Sequence, residues 1–320
     1  MSSVLSYFFA PGSGQGIHWS RLELKGADVI DYLHRLTTVN LKTLRPGEGR
    51  GGFFLNPQGR IRSYFTLWRV GEAEVTLEFD AGPADGSDES LKKKLLDLIE
   101  EFRFSERFTV SEPTLQTCRW FFPSEVSKLV ALDPGHALID EKGIRFFRHA
   151  DDDFGRPWVS AWGDPKDLDA LLEGQAHPID AATIETWRIT ACRPWIAHEI
   201  DENSNPLEIG LHEGVAQNKG CYPGQEVIEK IISLGSPAKR LIRLRGETAV
   251  PERGTHLFAA DESQKEAGII TSSCATESGF EALAIVRKVY AAEETVLRFS
   301  RSPSEPNPET ATVVQVAPYM

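Results

Sequence analysis

The run Lys219-Gly220-Cys221-Tyr222-Pro223-Gly224-Gln225-Glu226 sets a thiol between a lysine and an apolar-periodic segment, Val227, Ile228, Ile231 and Ile232. Pro223 suits a first helical turn, so the spacing predicts a helix starting at Tyr222 or Pro223. Cys221 would then stand immediately before a helix N-terminus and two residues from a cation. Both neighbours favour the thiolate, the form that attacks and ligates. Gln225 and Glu226 fall in the first turn, where acidic or amide side chains satisfy free backbone amides. The same pattern also describes a small apolar cysteine packed beneath a well-capped helix.

Upstream, Arg188, Arg193, His198, Glu199, Asp201 and Glu202 crowd into fifteen residues around Pro194 and Trp195. A carboxylate presented from such a turn can accept two N–H groups from a planar heterocycle. Surface charges pairing among themselves at little energetic value give the same composition. Between Lys219 and Arg245 there are six basic residues against Glu226 and Glu229, a local +4. That patch suits a polyanion, either a polyglutamylated cofactor or an RNA backbone; alternatively, Arg243 and Arg245 are the solvent face of a strand whose core face is Leu241, Ile242 and Leu244. Gly47-Glu48-Gly49-Arg50-Gly51-Gly52 matches a dinucleotide fingerprint in letters only. It precedes a strand and opens no helix, so it reads as a glycine-rich turn. The histidines and cysteines show no ligand-like pairing, and no metal site is expected.

These residues need elements to carry them. His18 to Leu24 alternates as a strand, and Val29, Ile30, Leu33 and Leu36 mark a helix after Gly26. Phe53 to Leu55, Ile61 to Val70 and Val75 to Phe79 read as an antiparallel meander around the turn Asn56-Pro57-Gln58-Gly59. A helix over Leu91, Leu95, Leu98, Ile99 and Phe102 follows, with Asp88 or Ser90 as its cap. Short strands are expected near Phe108 to Val110, Leu129 to Leu132, Ile144 to Phe147 and Trp158 to Trp162. Helices begin at Asp164-Pro165 and after Asp180. From Leu241 onward, six short strands are separated by turns: Leu241 to Leu244, Thr255 to Phe258, Gly268 to Thr271, Ala282 to Val286, Thr295 to Phe299 and Thr312 to Val316. This is the texture of a small barrel, with Ser302 to Pro308 as a loop before the last strand. The expected fold class is α+β, with antiparallel sheets and helices over residues 1–237 and a small C-terminal β-barrel over 238–320.

The chain has 320 residues, with 47 Asp and Glu against 35 Lys and Arg, a formal net charge of −12. A general nucleic-acid-coating protein would be basic, so that class is excluded while a local basic cleft is not. Four scattered cysteines make no disulfide framework, and nothing reads as a signal peptide or membrane span. The expectation is a cytoplasmic protein without membrane contact.

Taken together these segments resemble the YgfZ family of folate-binding proteins, related to the aminomethyltransferase (T-protein) of the glycine cleavage system. Lys219 to Glu226 is similar to that family's K-G-C-Y-x-G-Q-E signature. Arg188-Ile189, Pro194 and His198 to Asp201 are similar to its R-I…P…E-I segment, and Pro206-Leu207-Glu208 with Gly210-Leu211 to the piece after it. Gly26-Ala27-Asp28, Leu36-Thr37, Asn56 to Ile61, Gly268 to Ser272 and Ala282 to Ala284 fit as well. Thr38-Val39-Asn40 departs from the family's common T-N-D.

The resemblance implies a folate-binding aminomethyltransferase-like domain followed by the barrel. It implies tetrahydrofolate, or a polyglutamylated derivative, as cofactor. Glu199 matches the carboxylate that grips the pterin in the related transferases, and Arg188, Lys219, Tyr222, Gln225, Glu226 and Asn40 are the further folate contacts. Cys221 is the residue expected to carry function. The role implied is support of iron–sulfur cluster assembly or repair in client enzymes, including tRNA-modifying radical enzymes, without classical turnover. Two alternatives stand beside it: a folate-dependent aminomethyltransferase or demethylase, and an adaptor making weak tRNA or protein contact through Lys219 to Arg245.

Overall fold

The computed structural model describes residues 5–10, 19–81, 91–113, 117–123, 132–150, 153–171, 176–261, 265–300 and 309–318. The expected helix caps at Asp88 and Ser90, most of the strand expected at Leu129 to Leu132, and the Ser302 to Pro308 loop lie outside these residues. The chain forms two compact units. One comprises 1–55, 62–183 and 214–223; the other comprises 56–61, 184–213 and 224–320. The second therefore takes in, besides the barrel, stretches that precede the boundary expected at residue 237.

In the first unit the strands are β1 (Leu5–Ala10), β2 (Trp19–Lys25), β3 (Glu48–Leu55), β4 (Ile61–Gly71), β5 (Glu74–Asp80), β6 (Thr109–Ser111), β7 (Thr117–Pro123), β8 (His136–Ile139), β9 (Arg145–Arg148), β10 (Val159–Gly163) and β11 (Ala176–Pro178). They join in one sheet of order β11-β1-β7-β10-β9-β8-β3-β4-β5-β2-β6. β2 pairs antiparallel with β5, with Leu22 opposite Leu77 and Leu24 opposite Val75. Helices α1 (Val29–Leu36) and α2 (Leu91–Glu101) bring Val29, Leu33, Leu95, Leu98 and Ile99 onto the apolar side chains of these strands. Each such wholly buried aliphatic side chain contributes about 1.5–3 kcal/mol. The Tyr32 hydroxyl donates to the Ile99 carbonyl at 2.5 Å, tying α1 to α2.

The glycine-rich segment is not the turn expected of it. Residues 48–52 lie within β3, where a Cβ at Gly49 would collide with the Trp68 ring and one at Gly52 with Val39. Glycine serves close packing there, and no helix follows to hold a phosphate.

Thr76, Glu78 and Asp80 of β5 are buried as well. Glu78 is fully buried and accepts from three indoles: Trp19 Nε1 at 3.2 Å, Trp68 Nε1 at 2.7 Å and Trp162 Nε1 at 2.6 Å. Ser160 Oγ donates to it at 2.6 Å, and His149 Nε2 lies 3.3 Å away. The His149 ring stacks on Trp158, with centroids 3.7 Å apart. Burial pushes the Glu78 carboxyl up, but the bonds from His149, Ser160 and Trp162 outweigh it and hold the group below its usual range.

In the second unit, β12 (Lys239–Gly246), β13 (His256–Ala259), β14 (Glu266–Thr276), β15 (Gly279–Arg287), β16 (Val296–Phe299) and β17 (Glu309–Val316) close a six-stranded barrel in the order β12-β15-β14-β13-β16-β17. Each of the six strands expected from the sequence is present. Ile242, Leu244, Leu257, Ile270, Phe280, Val286, Leu297 and Phe299 fill its core. Of the remaining α-helices, α3 (Pro165–Ala170) belongs to the first unit, while most of α4 (Ala181–Thr190) and all of α5 (Gln225–Ser233) belong to the second. Asp164 and Asp180 cap the first two, accepting from Lys166 N at 2.9 Å and Thr183 N at 2.8 Å.

Candidate functional site

The residues singled out by sequence fall into two groups, one in each unit. In the second unit, α4 presents Arg188 into the turn 192–200, which is knotted by the amides of His198, Glu199 and Ile200 all donating to the Trp195 carbonyl. Arg188 is 0 % exposed, and all five of its N–H groups have acceptors. Nε donates to Glu185 Oε2 at 2.7 Å, and Nη2 to Glu185 Oε1 and to Ser272 Oγ at 2.7 Å. Nη1 donates to Glu199 Oε2 at 3.1 Å and to the Arg193 carbonyl at 3.3 Å.

Glu199 is equally enclosed at 1 % exposure. Its Oε2 also accepts from the Trp195 amide at 3.0 Å, and its Oε1 from Ser272 Oγ at 2.6 Å. Arg188 and Glu199 form an internal ion pair in which every Arg188 N–H has an acceptor and both Glu199 oxygens accept a bond. Of the residues that complete the cluster, Glu185 carried no sequence signal and Ser272 only its place in the family-like segment 268–272, because only the fold brings β14 against α4. His198 Nδ1 lies 3.2 Å from Ser272 Oγ; burial and then the Arg188 charge lower its pKa.

In the first unit, Lys219 is buried at 6 % exposure. Its ammonium donates to the carbonyls of His34 and Thr37, the latter at 2.6 Å, and lies 4.8 Å from the centroid of the buried Tyr222 ring. It thus closes the C-terminal end of α1, where unpaired carbonyls collect. Burial lowers its pKa to about 8. Thr38 Oγ1 donates to the Gly214 carbonyl at 2.6 Å and accepts from Phe53 N at 2.9 Å, pinning the segment to β3. Two polar atoms here are buried with no partner among the described residues, Asn40 Oδ1 and His34 Nδ1. Burial, reinforced by the Lys219 and Lys42 charges, lowers the His34 pKa. His34 had no sequence signal beyond its place on the helix.

Cys221 is exposed, but the neighbourhood expected for it does not form. Helix α5 starts at Gln225, and Gly224 caps it at φ 84°. Any side chain at 224 would strike the Asn56 carbonyl and the Gly59 backbone. The thiol therefore sits four residues ahead of the helix, and the Lys219 ammonium is committed to backbone carbonyls. Gln225 donates to Glu229 Oε1 at 2.5 Å within the helix, and Glu226 is exposed. The other three cysteines are buried; burial raises the Cys118 thiol well above its usual value, the Cys192 thiol to about 12, and the Cys274 thiol in the same direction. A disulfide reagent such as dithionitrobenzoate should accordingly titrate one thiol in the native chain and four in denaturant. A Cys221→Ser variant should show none before unfolding; release of a second native thiol would contradict this assignment.

Part of the basic patch is engaged within the fold. Besides buried Lys219, Arg243 and Arg245 share Glu281 at 2.6 Å and 2.7 Å, and Arg240 donates to the Ala317 carbonyl at 2.5 Å. A cross-strand carboxylate in β15, invisible to a count along β12, offsets part of the charge that suggested tRNA. Among the described residues no helix is long and apolar enough to cross a membrane.

No family model matches the chain. It is 26% identical over 279 residues to a protein named as a chloroplastic transferase in Arabidopsis thaliana, covering 82% of this chain and 61% of the relative. It is 25% identical over 253 residues to an aminomethyltransferase of Rippkaea orientalis, covering 72% and 66%. With an aminomethyltransferase of Geobacillus thermodenitrificans it shares 24% over 275 residues, covering 80% and 72%. The chain thus spans less than two thirds of the length of the first two relatives. Among solved structures, the glycine cleavage system aminomethyltransferase T of Bartonella henselae superposes with a TM-score of 0.80 at 16% identity, covering 100% of this chain and 87% of that one. The fold is that of the glycine cleavage aminomethyltransferases.

Proposed function

We propose that this chain, built on the aminomethyltransferase fold, binds tetrahydrofolate and supports the assembly or repair of iron–sulfur clusters in client enzymes, with Cys221 as its working group. The observation that carries this reading is the exposure of Cys221, at the centre of the signature-like segment, while the other three thiols are buried. The residues present fit the cofactor in the first unit. Asn40 Oδ1 is a buried acceptor without a partner, suited to an amino or ring N–H of a pterin, and His34 Nδ1 is a second unpartnered atom on the same stretch of chain. Bound tetrahydrofolate would supply a one-carbon carrier. The chain's own part is to orient it through Asn40, with Lys219 holding the end of α1 against Thr37 and Tyr222. Arg188 and Glu199 support the second unit internally and are not counted among the contacts.

A turnover aminomethyltransferase is the second reading, favoured by the names of the relatives and of the structural neighbour. It requires a group that takes up a proton beside the folate amine. Asn40 is an amide and cannot do so, which favours the first reading.

The test is a titration of tetrahydrofolate against wild type, Asn40→Leu and Cys221→Ala. Wild type should bind saturably, Asn40→Leu at least about tenfold more weakly for the lost bond to a buried group, and Cys221→Ala as wild type. In cells, Cys221→Ala should lose iron–sulfur enzyme activity under oxidative stress while keeping folate binding. Normal activity in that strain would remove the iron–sulfur role, and absence of saturable binding would remove the folate premise. Formation of methylene-tetrahydrofolate from an aminomethyl donor would establish the second reading instead.

A further inference from the structure

A cleft of about 310 Å³ opens in the second unit, between the loop 201–209 and the edges of β12, β14 and β15. Ligand pockets span roughly 300 to 1,000 Å³, so this one suits a small ligand. At one place in its lining stand Lys239 and Arg287, register partners across the antiparallel β12–β15 pair. Like charges set directly opposite each other weaken a sheet. Both are exposed, and neither has a hydrogen-bond or ion-pair partner among the described residues. In a chain with twelve more acidic than basic side chains, two adjacent cations without an anion are unusual.

Carboxylates line the same cleft. Glu208 is neutralised by Arg60 at 3.0 Å. Asp201 uses Oδ1 to accept from Asn203 N at 2.9 Å and Ser204 Oγ at 2.7 Å, and Glu266 uses Oε1 against His256 Nδ1 at 2.9 Å. Each of these two keeps one oxygen open. Ile269 and Ile285, opposite each other across β14 and β15, add apolar surface. The lining therefore offers two unpaired cations, two carboxylates with a free oxygen and branched apolar side chains.

We infer that this cleft binds a zwitterionic α-amino acid with an apolar side chain: its carboxylate on Lys239 and Arg287, its ammonium on Asp201 and Glu266, its side chain on Ile269 and Ile285. A plain anion would leave the carboxylates opposing it, and a plain cation would leave Lys239 and Arg287 opposing it. Only a ligand carrying both charges uses the whole lining. The inference is independent of folate binding.

The test is calorimetric titration of the full chain with L-leucine, leucinamide and N-acetyl-leucine. L-leucine should bind saturably, and each blocked analogue should bind at least about tenfold more weakly, as a lost charge-assisted bond predicts. The double variant Lys239→Met with Arg287→Met should weaken leucine binding by a similar factor, and Glu266→Gln should weaken it separately. These side chains are exposed, so no variant should unfold appreciably below the wild-type temperature. No saturable binding up to the solubility of leucine, equal binding of N-acetyl-leucine, or undiminished binding by the double variant would each overturn the inference.

Discussion

Replacing Glu78 by alanine should destabilise the chain by about 3–5 kcal/mol, the cost typical of breaking a buried charged pair by removing one partner. The variant leaves the indole N–H groups of Trp19, Trp68 and Trp162, the Ser160 hydroxyl and the His149 ring facing an acceptor that is no longer there. Each unpaired buried donor costs about 1–3 kcal/mol, partly relieved where water enters the space. Glu78→Gln keeps the volume and one acceptor but turns an amide N–H₂ toward other donors, so it should fall between alanine and wild type. Chemical denaturation with tryptophan fluorescence reads both effects, since three of the indoles surround the substituted group. A loss below about 1 kcal/mol for alanine would mean the cluster is not built as described. The pH dependence has a definite sign. The folded pKa lies below the unfolded one, so the stabilisation from Glu78 is complete above the ordinary carboxylate range and is lost as pH falls through the depressed folded value. The gap between wild type and Glu78→Gln should therefore close as the pH falls below the ordinary carboxylate range.

Arg188→Met should have an effect of the same size, about 3–5 kcal/mol, in the second unit. It strands Glu199, 1 % exposed, with only Ser272 and the Trp195 amide as donors, and leaves Glu185 without its bidentate partner. Adding Glu199→Gln to Arg188→Met removes the stranded charge, so the double variant should be more stable than the sum of the two single losses predicts. A coupling of about 1–3 kcal/mol is expected for residues in direct contact. Strict additivity would show that the pair is not the internal strut its geometry describes. Folate affinity should follow the folded fraction in these variants and not fall independently, since every Arg188 N–H is already bonded and Glu199 is enclosed.

Much of the fold was legible in sequence because the signals were local. The 3.6-residue stripe over Leu91 to Phe102, the Asp-Pro start at 164–165 and the six short runs after Leu241 each need only neighbours along the chain. Where reading along the chain failed, a distant element had intervened. Residues 48–52 look like a turn by composition, yet Trp68 and Val39 press against them and make a strand of them. The helix after Cys221 was placed too early because proline suits a first turn, whereas Gly224, forced to φ 84° beneath the Asn56 carbonyl, delays it to Gln225. The basic run to Arg245 reads along the chain as an open polyanion surface, whereas Glu281 from the next strand takes up Arg243 and Arg245.

Of the site, residue types and the order of the segments were set by sequence alone: one signature cysteine, a lysine two residues before it, and a carboxylate and arginine eleven residues apart. Their exposure was not. Strand alternation puts Glu78 opposite Leu77 and says nothing about what covers that side, and only the folded sheet brings three tryptophans to it. In the same way Arg188 and Glu199 became an enclosed pair, Lys219 became a cap for the carbonyls of α1, and Cys221 alone among the cysteines remained at the surface. The physical reason is common to all four. Secondary structure follows from periodicities and backbone preferences that act over a few residues. Whether a charge is paired or open depends on desolvation and on hydrogen-bond partners tens to nearly two hundred positions away, and these come together only in the tertiary structure.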